Sequence, residues 1–118
     1  MQKRLRLRSS RDFVRLRTEG SVYRHPLLMV SVAPNDQLHN RYGFISGKRL
    51  GNAVVRNRVK RLLRSSVRRL HPRLKLGYDL VVIARPKIVG QPYSVIYEAL
   101  SDTLELRYFV NRVGEEDF

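Results

Sequence analysis

Residues 51–70 run Gly51-Asn52-Ala53-Val54-Val55-Arg56-Asn57-Arg58-Val59-Lys60-Arg61-Leu62-Leu63-Arg64-Ser65-Ser66-Val67-Arg68-Arg69-Leu70. Apolar residues recur here at helical spacing. Projected at about 100° per residue, Val55, Val59, Leu62, Leu63, Ser66, Val67 and Leu70 fall on one arc, the side expected to be buried. The opposite arc centres on Asn57, Lys60, Arg61, Arg64 and Arg68, with Arg56, Arg58 and Arg69 on its flanks. His71-Pro72 is expected to end the helix, because the residue before a proline avoids the α region. A long helix with one apolar face needs a sheet or another helix to cover it, and the flanking segments supply both.

Upstream, Ser9-Ser10-Arg11-Asp12 resembles a capping box with Ser9 as N-cap. The helix it opens carries Phe13 and Leu16 on one face and stops at Gly20, a residue suited to a left-handed C′ position. Leu27 to Ala33 has strand character. The polar stretch from Pro34-Asn35-Asp36 to Asn40 is expected to be a hairpin loop, with Arg41 to Ser46 as the partner strand. Downstream, Leu76-Gly77 turns into Tyr78 to Arg85, whose continuous apolar centre suits a strand covered on both faces. A last helix from about Tyr93 to Val110 places Ile96, Leu100, Leu104 and Tyr108 on one stripe. The expected fold is therefore an α/β two-layer sandwich in the order αββαβα, one domain over residues 1–118 with frayed ends near 1–8 and 113–118.

Charge narrows the function. The 118 residues carry 24 Lys plus Arg, nineteen of them Arg, against ten Asp plus Glu, a net charge of +14. Self-repulsion of that size fits a polyanionic partner, with nucleic acid the first candidate and an anionic membrane the second. Between Lys48 and Lys75 there are eleven bases and no acid. An ordinary exposed helix mixes signs at i, i+4, whereas Arg56/Lys60, Lys60/Arg64 and Arg64/Arg68 all repel, so this face is arranged for an anion rather than for solvent alone. The chain has no cysteine, which excludes disulfides, thiolate metal sites and Cys nucleophiles and suits a reducing cytoplasm. The longest apolar run, Leu80 to Ala84, is far short of the ~20 residues that span a bilayer.

The run from Gly51 to Arg61, centred on Arg56-Asn57-Arg58, resembles the signature of the bacterial ribonuclease P protein family. Arg11-Asp12-Phe13, Lys48-Arg49, Tyr78-Asp79 and the overall length fit it as well. The resemblance implies the accessory protein of a ribonucleoprotein that removes the 5′ leader from precursor tRNA. It implies a cytoplasmic protein whose partners are a catalytic RNA subunit and precursor tRNA, with no membrane and no small-molecule substrate. The RNA carries out the Mg2+-dependent hydrolysis, and the protein itself holds no cofactor. It also implies the fold of ribosomal protein S5 domain 2, with a left-handed βαβ crossover through the basic helix. Carried over by residue, Arg56, Asn57, Arg58, Lys60, Arg61, Arg64 and Arg68 face the RNA subunit. Phe13, Arg17, Lys48 and Arg49, with the exposed sheet face, belong to the cleft for the single-stranded leader.

Three positions depart from the family pattern. Arg17 stands where many relatives have a second aromatic, Val30 where some have an aromatic on the first strand, and Gly47 where Ser is commoner. Leader contacts should therefore rely more on Arg and less on ring stacking.

No protein-borne catalytic constellation is evident. His25, His39 and His71 lack paired spacing and are expected at the surface. Asp12, Glu19, Asp36 and Asp79 are scattered, and Asp79 is expected to be a turn residue. The alternative function is a ribosomal or other structural RNA-binding protein.

Overall fold

A computed structural model describes residues 5–7 and 9–110. The elements are α1 (Ser10–Glu19), β1 (Ser21–Arg24), β2 (Leu28–Pro34), β3 (Arg41–Ile45), α2 (Ala53–Leu70), β4 (Tyr78–Ala84) and α3 (Tyr93–Tyr108). The order is αβββαβα, one strand more than the sequence pattern predicts. That strand, β1, is only four residues long and lies at the sheet edge, too short for alternation to announce it.

The sheet order is β1-β2-β4-β3. This corrects the predicted hairpin, since β2 and β3 do not pair. The tight hairpin joins β1 to β2 instead, closed by the amide of His25 on the carbonyl of Leu28 at 2.9 Å. Strand β4 lies between β2, antiparallel to it, and β3, parallel to it. The polar segment after Pro34 therefore carries the chain past the start of β4. Two side-chain amides hold it there. Asn35 donates to the carbonyl of His39 and to Asp79, while Asn40 donates to the carbonyl of Lys75 and accepts from the amide of Tyr78. The continuous apolar centre of β4 has the meaning expected of it: Asp79 to Val82 are all buried.

Helix α2 starts at Ala53, with the Asn52 side chain accepting from the amide of Val55 at 3.0 Å. It ends at Leu70, but His71 keeps α geometry and the chain continues as a 3-10 turn over His71–Arg73. The steric rule before proline is overridden here because His71 Nδ1 is 2.6 Å from the hydroxyl of Tyr42. Gly20 also differs from expectation, with an extended backbone at φ −75°. Its lack of a side chain matters because a Cβ would lie 2.5 Å from the carbonyl oxygen of Leu16.

Helices α2 and α3 cover one sheet face. Val59, Leu63, Val67 and Leu70 of α2 and Ile96, Ala99, Leu100 and Leu104 of α3 pack on Val30, Val32 and Val82. Each of these Val, Leu and Ile side chains contributes about 1.5–3 kcal/mol when fully buried. The other face is covered only at one end, where α1 lays Leu16 and Phe13 over Ala33 and Val81 with help from Leu7. Leu7 also donates its amide to the carbonyl of Tyr42 at 2.8 Å, so residues 5–7 line the edge of β3 rather than fraying. The rest of the expected frayed ends falls on residues 1–4, 8 and 113–118, outside the described residues.

Tyr42 is a fully enclosed phenol, and burial pushes its ionisation up from 10.0 to about 12. A folded-state value above the unfolded one favours folding below about pH 10, and that contribution is lost as pH rises toward 12. Tyr42→Phe is expected to flatten this alkaline decline in stability, as read by urea unfolding between pH 9 and about 12. An unchanged decline would place the effect on other groups.

Candidate nucleic-acid interface

The α2 face is as basic in three dimensions as in projection. Asn57, Arg58, Arg61 and Arg68 are exposed, and Arg56, Lys60 and Arg64 are half-buried. Among the described residues every ion pair involves Asp12 or Asp79, and none involves α2. Its cations are therefore left for an external anion. Asn57, Lys60, Arg61 and Arg64, with Val54, surround an open hollow of about 530 Å³. Arg58 lies apart from this group, on the flank toward α3, with its guanidinium 3.5 Å from the carbonyl of Gln91. Arg56 has a buried Nε without a hydrogen-bond partner, while its carbonyl accepts from the hydroxyl of Ser46 at 3.0 Å. That bond fastens the first turn of α2 to the end of β3.

The second surface is the part of the sheet that α1 leaves open. Strand register sets its floor in two cross-strand rows: Arg24, Met29, Ile83 and Ile45, then Val22, Ser31, Val81 and Gly43. The first row, Val22, Ser31 and Val81 line a groove of about 360 Å³ whose α1 wall is Phe13, Leu16 and Arg17. Phe13 is half-buried and serves two purposes. Its ring packs on Gly43, where a Cβ would come within 2.9 Å of it, and it also lines the groove. Apart from Ser31 and Arg24 the floor is apolar, and the groove's cations are Arg17 on α1 and Arg24 on the edge strand.

Val30, named as the position of a family aromatic, is fully buried in the α2/α3 core, because strand alternation turns Met29 and Ser31 toward the groove instead. Lys48 and Arg49 do not line the groove. They are exposed on a 3-10 turn over Lys48–Leu50, between the groove end at Ile45 and α2. Gly47 in that loop has ordinary extended geometry and open space at its Cβ position, so a Ser would fit there without rearrangement.

Sequence reasoning also missed how closely the two surfaces adjoin. Strand β3 is a sheet edge, and at that edge Arg64 of α2 and Phe13 of α1 line one small cleft with Arg6 and Gly43. The basic helix face and the sheet groove thus meet at a corner.

The histidines are half-buried, which departs from the expected surface positions. His25 accepts the amide of Leu27 on Nδ1, and His71 bonds Tyr42. Asp79 is a β4 residue, not a turn residue. It is wholly buried and held by Arg15, by Arg41 at 2.7 and 2.9 Å and by Asn35 at 2.9 Å. The signal that could have found it is a lone acid at the head of an otherwise apolar strand, since a buried charge requires partners. Among the described residues no three His, Asp or Glu side chains cluster as a metal site, and no helix is long and apolar enough to cross a membrane.

Comparison with known proteins agrees with this geometry. The sequence profile of the family Ribonuclease P matches residues 1–106. The ribonuclease P protein component of Roseiflexus castenholzii is 45% identical over 91 residues, covering 77% of this chain and 75% of that one. That of Herpetosiphon aurantiacus is 40% identical over 105 residues, covering 89% and 85%. Among solved structures, the Staphylococcus aureus RNase P protein superimposes with a TM-score of 0.83 at 29% identity, covering 90% of this chain and 98% of that one. The Thermotoga maritima RNase P protein gives 0.77 at 30% identity, covering 82% and 92%. With the signature on α2, the groove beside it and relatives matching along most of its length, the chain belongs to the family of ribonuclease P protein components.

Proposed function

We propose that α2 docks the catalytic RNA subunit through Arg56, Asn57, Arg58, Lys60, Arg61, Arg64 and Arg68, and that the groove at Phe13 and Arg17 holds the single-stranded 5′ leader of precursor tRNA. Lys48 and Arg49, between the two, contact the backbone where the leader leaves the RNA subunit. The observation that carries this reading is the corner at Arg64 and Phe13. An RNA on α2 and a strand in the groove would touch there, so one protein can hold the catalyst and the segment to be removed in fixed relation. The floor suits unpaired RNA of any sequence, with an aromatic ring for stacking and arginines for phosphates.

Hydrolysis is assigned to Mg2+ on the RNA subunit. Neither Asp79 nor Asp12 is placed to hold a magnesium ion, because Asp79 is enclosed by Arg15, Arg41 and Asn35, and Asp12 faces Arg41 at 3.5 Å. The chain's part is to bind, orient and neutralise.

The test is cleavage of precursor tRNA by the RNA subunit at low Mg2+, with and without this protein. Stimulation is expected. Absence of stimulation, together with co-sedimentation with ribosomal subunits after a high-salt wash, would overturn the reading in favour of a structural RNA-binding protein. In the same assay Phe13→Leu, which keeps apolar packing but loses the ring, should weaken binding of leader-bearing precursor by roughly 5- to 100-fold, the range of one base stack. Mature tRNA should be unaffected, and equal losses on both would confine Phe13 to packing.

A further inference from the structure

Helix α2 meets α3 along one stripe. Arg58, Leu62, Ser65 and Arg69 stand at i, i+4, i+7 and i+11, the spacing of a single helix face. Three contacts cross from it. The guanidinium of Arg58 is 3.5 Å from the carbonyl of Gln91, the hydroxyl of Tyr93 is 3.5 Å from the carbonyl of Ser65, and the guanidinium carbon of Arg69 lies 4.1 Å from the centre of the Tyr97 ring. Tyr93 and Tyr97 are one turn apart on α3, with ring centres separated by 6.2 Å and planes 30° from parallel. Both tyrosines are half-buried, whereas Arg58, Ser65 and Arg69 are exposed. The seam is therefore a strip in which two arginines flank two rings. Arg69 has no hydrogen bond or ion pair among the described residues, so its N–H donors remain for a ligand while the ring beneath fixes the guanidinium in place. Beyond the tyrosines α3 turns acidic. Glu98, Asp102 and Glu105 are exposed at i, i+4 and i+7 and form no ion pair among the described residues, so phosphates are repelled there and the seam marks the border of the basic surface.

We infer that the α2–α3 seam is a stacking site for an unpaired base of the RNA subunit, held on the Arg69–Tyr97 pair. The inference rests on the reading of α2 as the RNA dock and adds α3 to it. Helix α2 carries no aromatic residue, so its basic face grips phosphate but offers no ring to a base. Tyr97 supplies the ring, and Tyr93 braces it from the preceding turn. Structured RNA presents unpaired bases in loops and bulges, and these stack on aromatic and guanidinium planes. Arg58, about 16 Å along the stripe at about 1.5 Å per residue, takes a phosphate of the same RNA. The leader is not the occupant, because α2 and α3 cover the sheet face opposite the groove. Stacking of this kind tolerates any base, so the seam adds affinity and orientation to the dock rather than sequence readout.

The chain has no tryptophan, so Tyr97→Trp places a single indole in the seam and keeps a ring under Arg69. Titration of the full-length variant with the RNA subunit alone is expected to quench the indole emission, with saturation at equimolar RNA. In binding measurements Tyr97→Leu and Arg69→Gln should each lower affinity for the RNA subunit by about fivefold or more, the lower end of one base stack. Tyr97→Phe should bind as the wild type does. Arg69→Lys should keep the salt slope but not the affinity, because it retains the charge and loses the plane. Discrimination between precursor and mature tRNA should be unchanged in all of them. Unquenched emission with full affinity in Tyr97→Leu and Arg69→Gln would overturn the inference, and so would quenching by precursor tRNA in place of the RNA subunit. Failure of the underlying reading is separable: a salt slope for the RNA subunit that survives Arg61→Gln combined with Arg64→Gln contradicts α2 as the dock. A slope that falls in that double variant, with affinity untouched by Tyr97→Leu and Arg69→Gln, contradicts only the seam.

Discussion

Asp79→Ala is expected to lower stability by about 3–5 kcal/mol, a large fraction of the 5–15 kcal/mol typical of a small domain. The Asp79 carboxylate is inaccessible to solvent and joins four parts of the fold. Arg15 reaches it from α1, Asn35 from the loop after β2, Arg41 from β3, and Asp79 itself belongs to β4. Removing it leaves two guanidiniums facing each other without the charge that brought them together. The hydrogen bonds that Arg41 donates to Asp79 also hold the guanidinium in its ionised form. Asp79→Asn keeps the volume and one acceptor oxygen and should lose less than the alanine variant. Urea unfolding of the two variants measures both effects. Native stability in Asp79→Ala together with abolished precursor cleavage would instead identify a catalytic carboxylate.

The second large effect is expected from Arg61→Gln combined with Arg64→Gln. Both residues line the hollow on the exposed face of α2. If each contacts one phosphate, the slope of log affinity against log salt for the RNA subunit should fall by roughly 1.4–1.8. Affinity at low salt should fall by about tenfold or more, since charge-assisted contacts to phosphate are among the stronger hydrogen bonds. The same substitutions should leave the free protein slightly more stable. Arg64 stands at i, i+4 from Lys60 and Arg68, and each like-charge pair removed relieves a few tenths of a kcal/mol. Weaker binding with a gain in stability is a signature that a packing defect would not produce. An unchanged salt slope would remove α2 from the interface. Arg58→Gln provides a graded comparison, because Arg58 lies on the α3 flank rather than in the hollow.

The limits of sequence reading appear at particular residues. The basic helix and its buried arc were legible because helical period depends on neighbours within a turn or two. Strand β4 was legible as a central strand because burial on both faces leaves an unbroken apolar run. The β2–β3 hairpin was predicted from turn residues that in fact serve a crossing loop. Asn35 does make local turn bonds with Gln37 and His39, but it and Asn40 also bond Asp79, Lys75 and Tyr78 across the mouth of the sheet. Which face of β2 holds Val30 was not legible, because alternation alone does not say which set of residues a helix will cover.

The candidate site divides along the same line. The cationic arc of α2 is written in one continuous segment, so its composition and projection reveal it. The groove draws on α1 and four strands, and its continuity with α2 depends on β3 being an edge. Near-neighbour patterns specify the three helices, the three longer strands, the two faces of the basic helix and the family signature. Packing at a distance sets the insertion of β4 between β2 and β3, the edge strand β1, the enclosure of Asp79 and the corner where Arg64 meets Phe13. The difference is one of range. Period, caps and charge density act between near neighbours, whereas strand pairing and buried charge join residues such as Arg41 and Asp79 or Arg15 and Asp79, 38 and 64 positions apart. Local patterns carry no record of which of those distant partners packing will select.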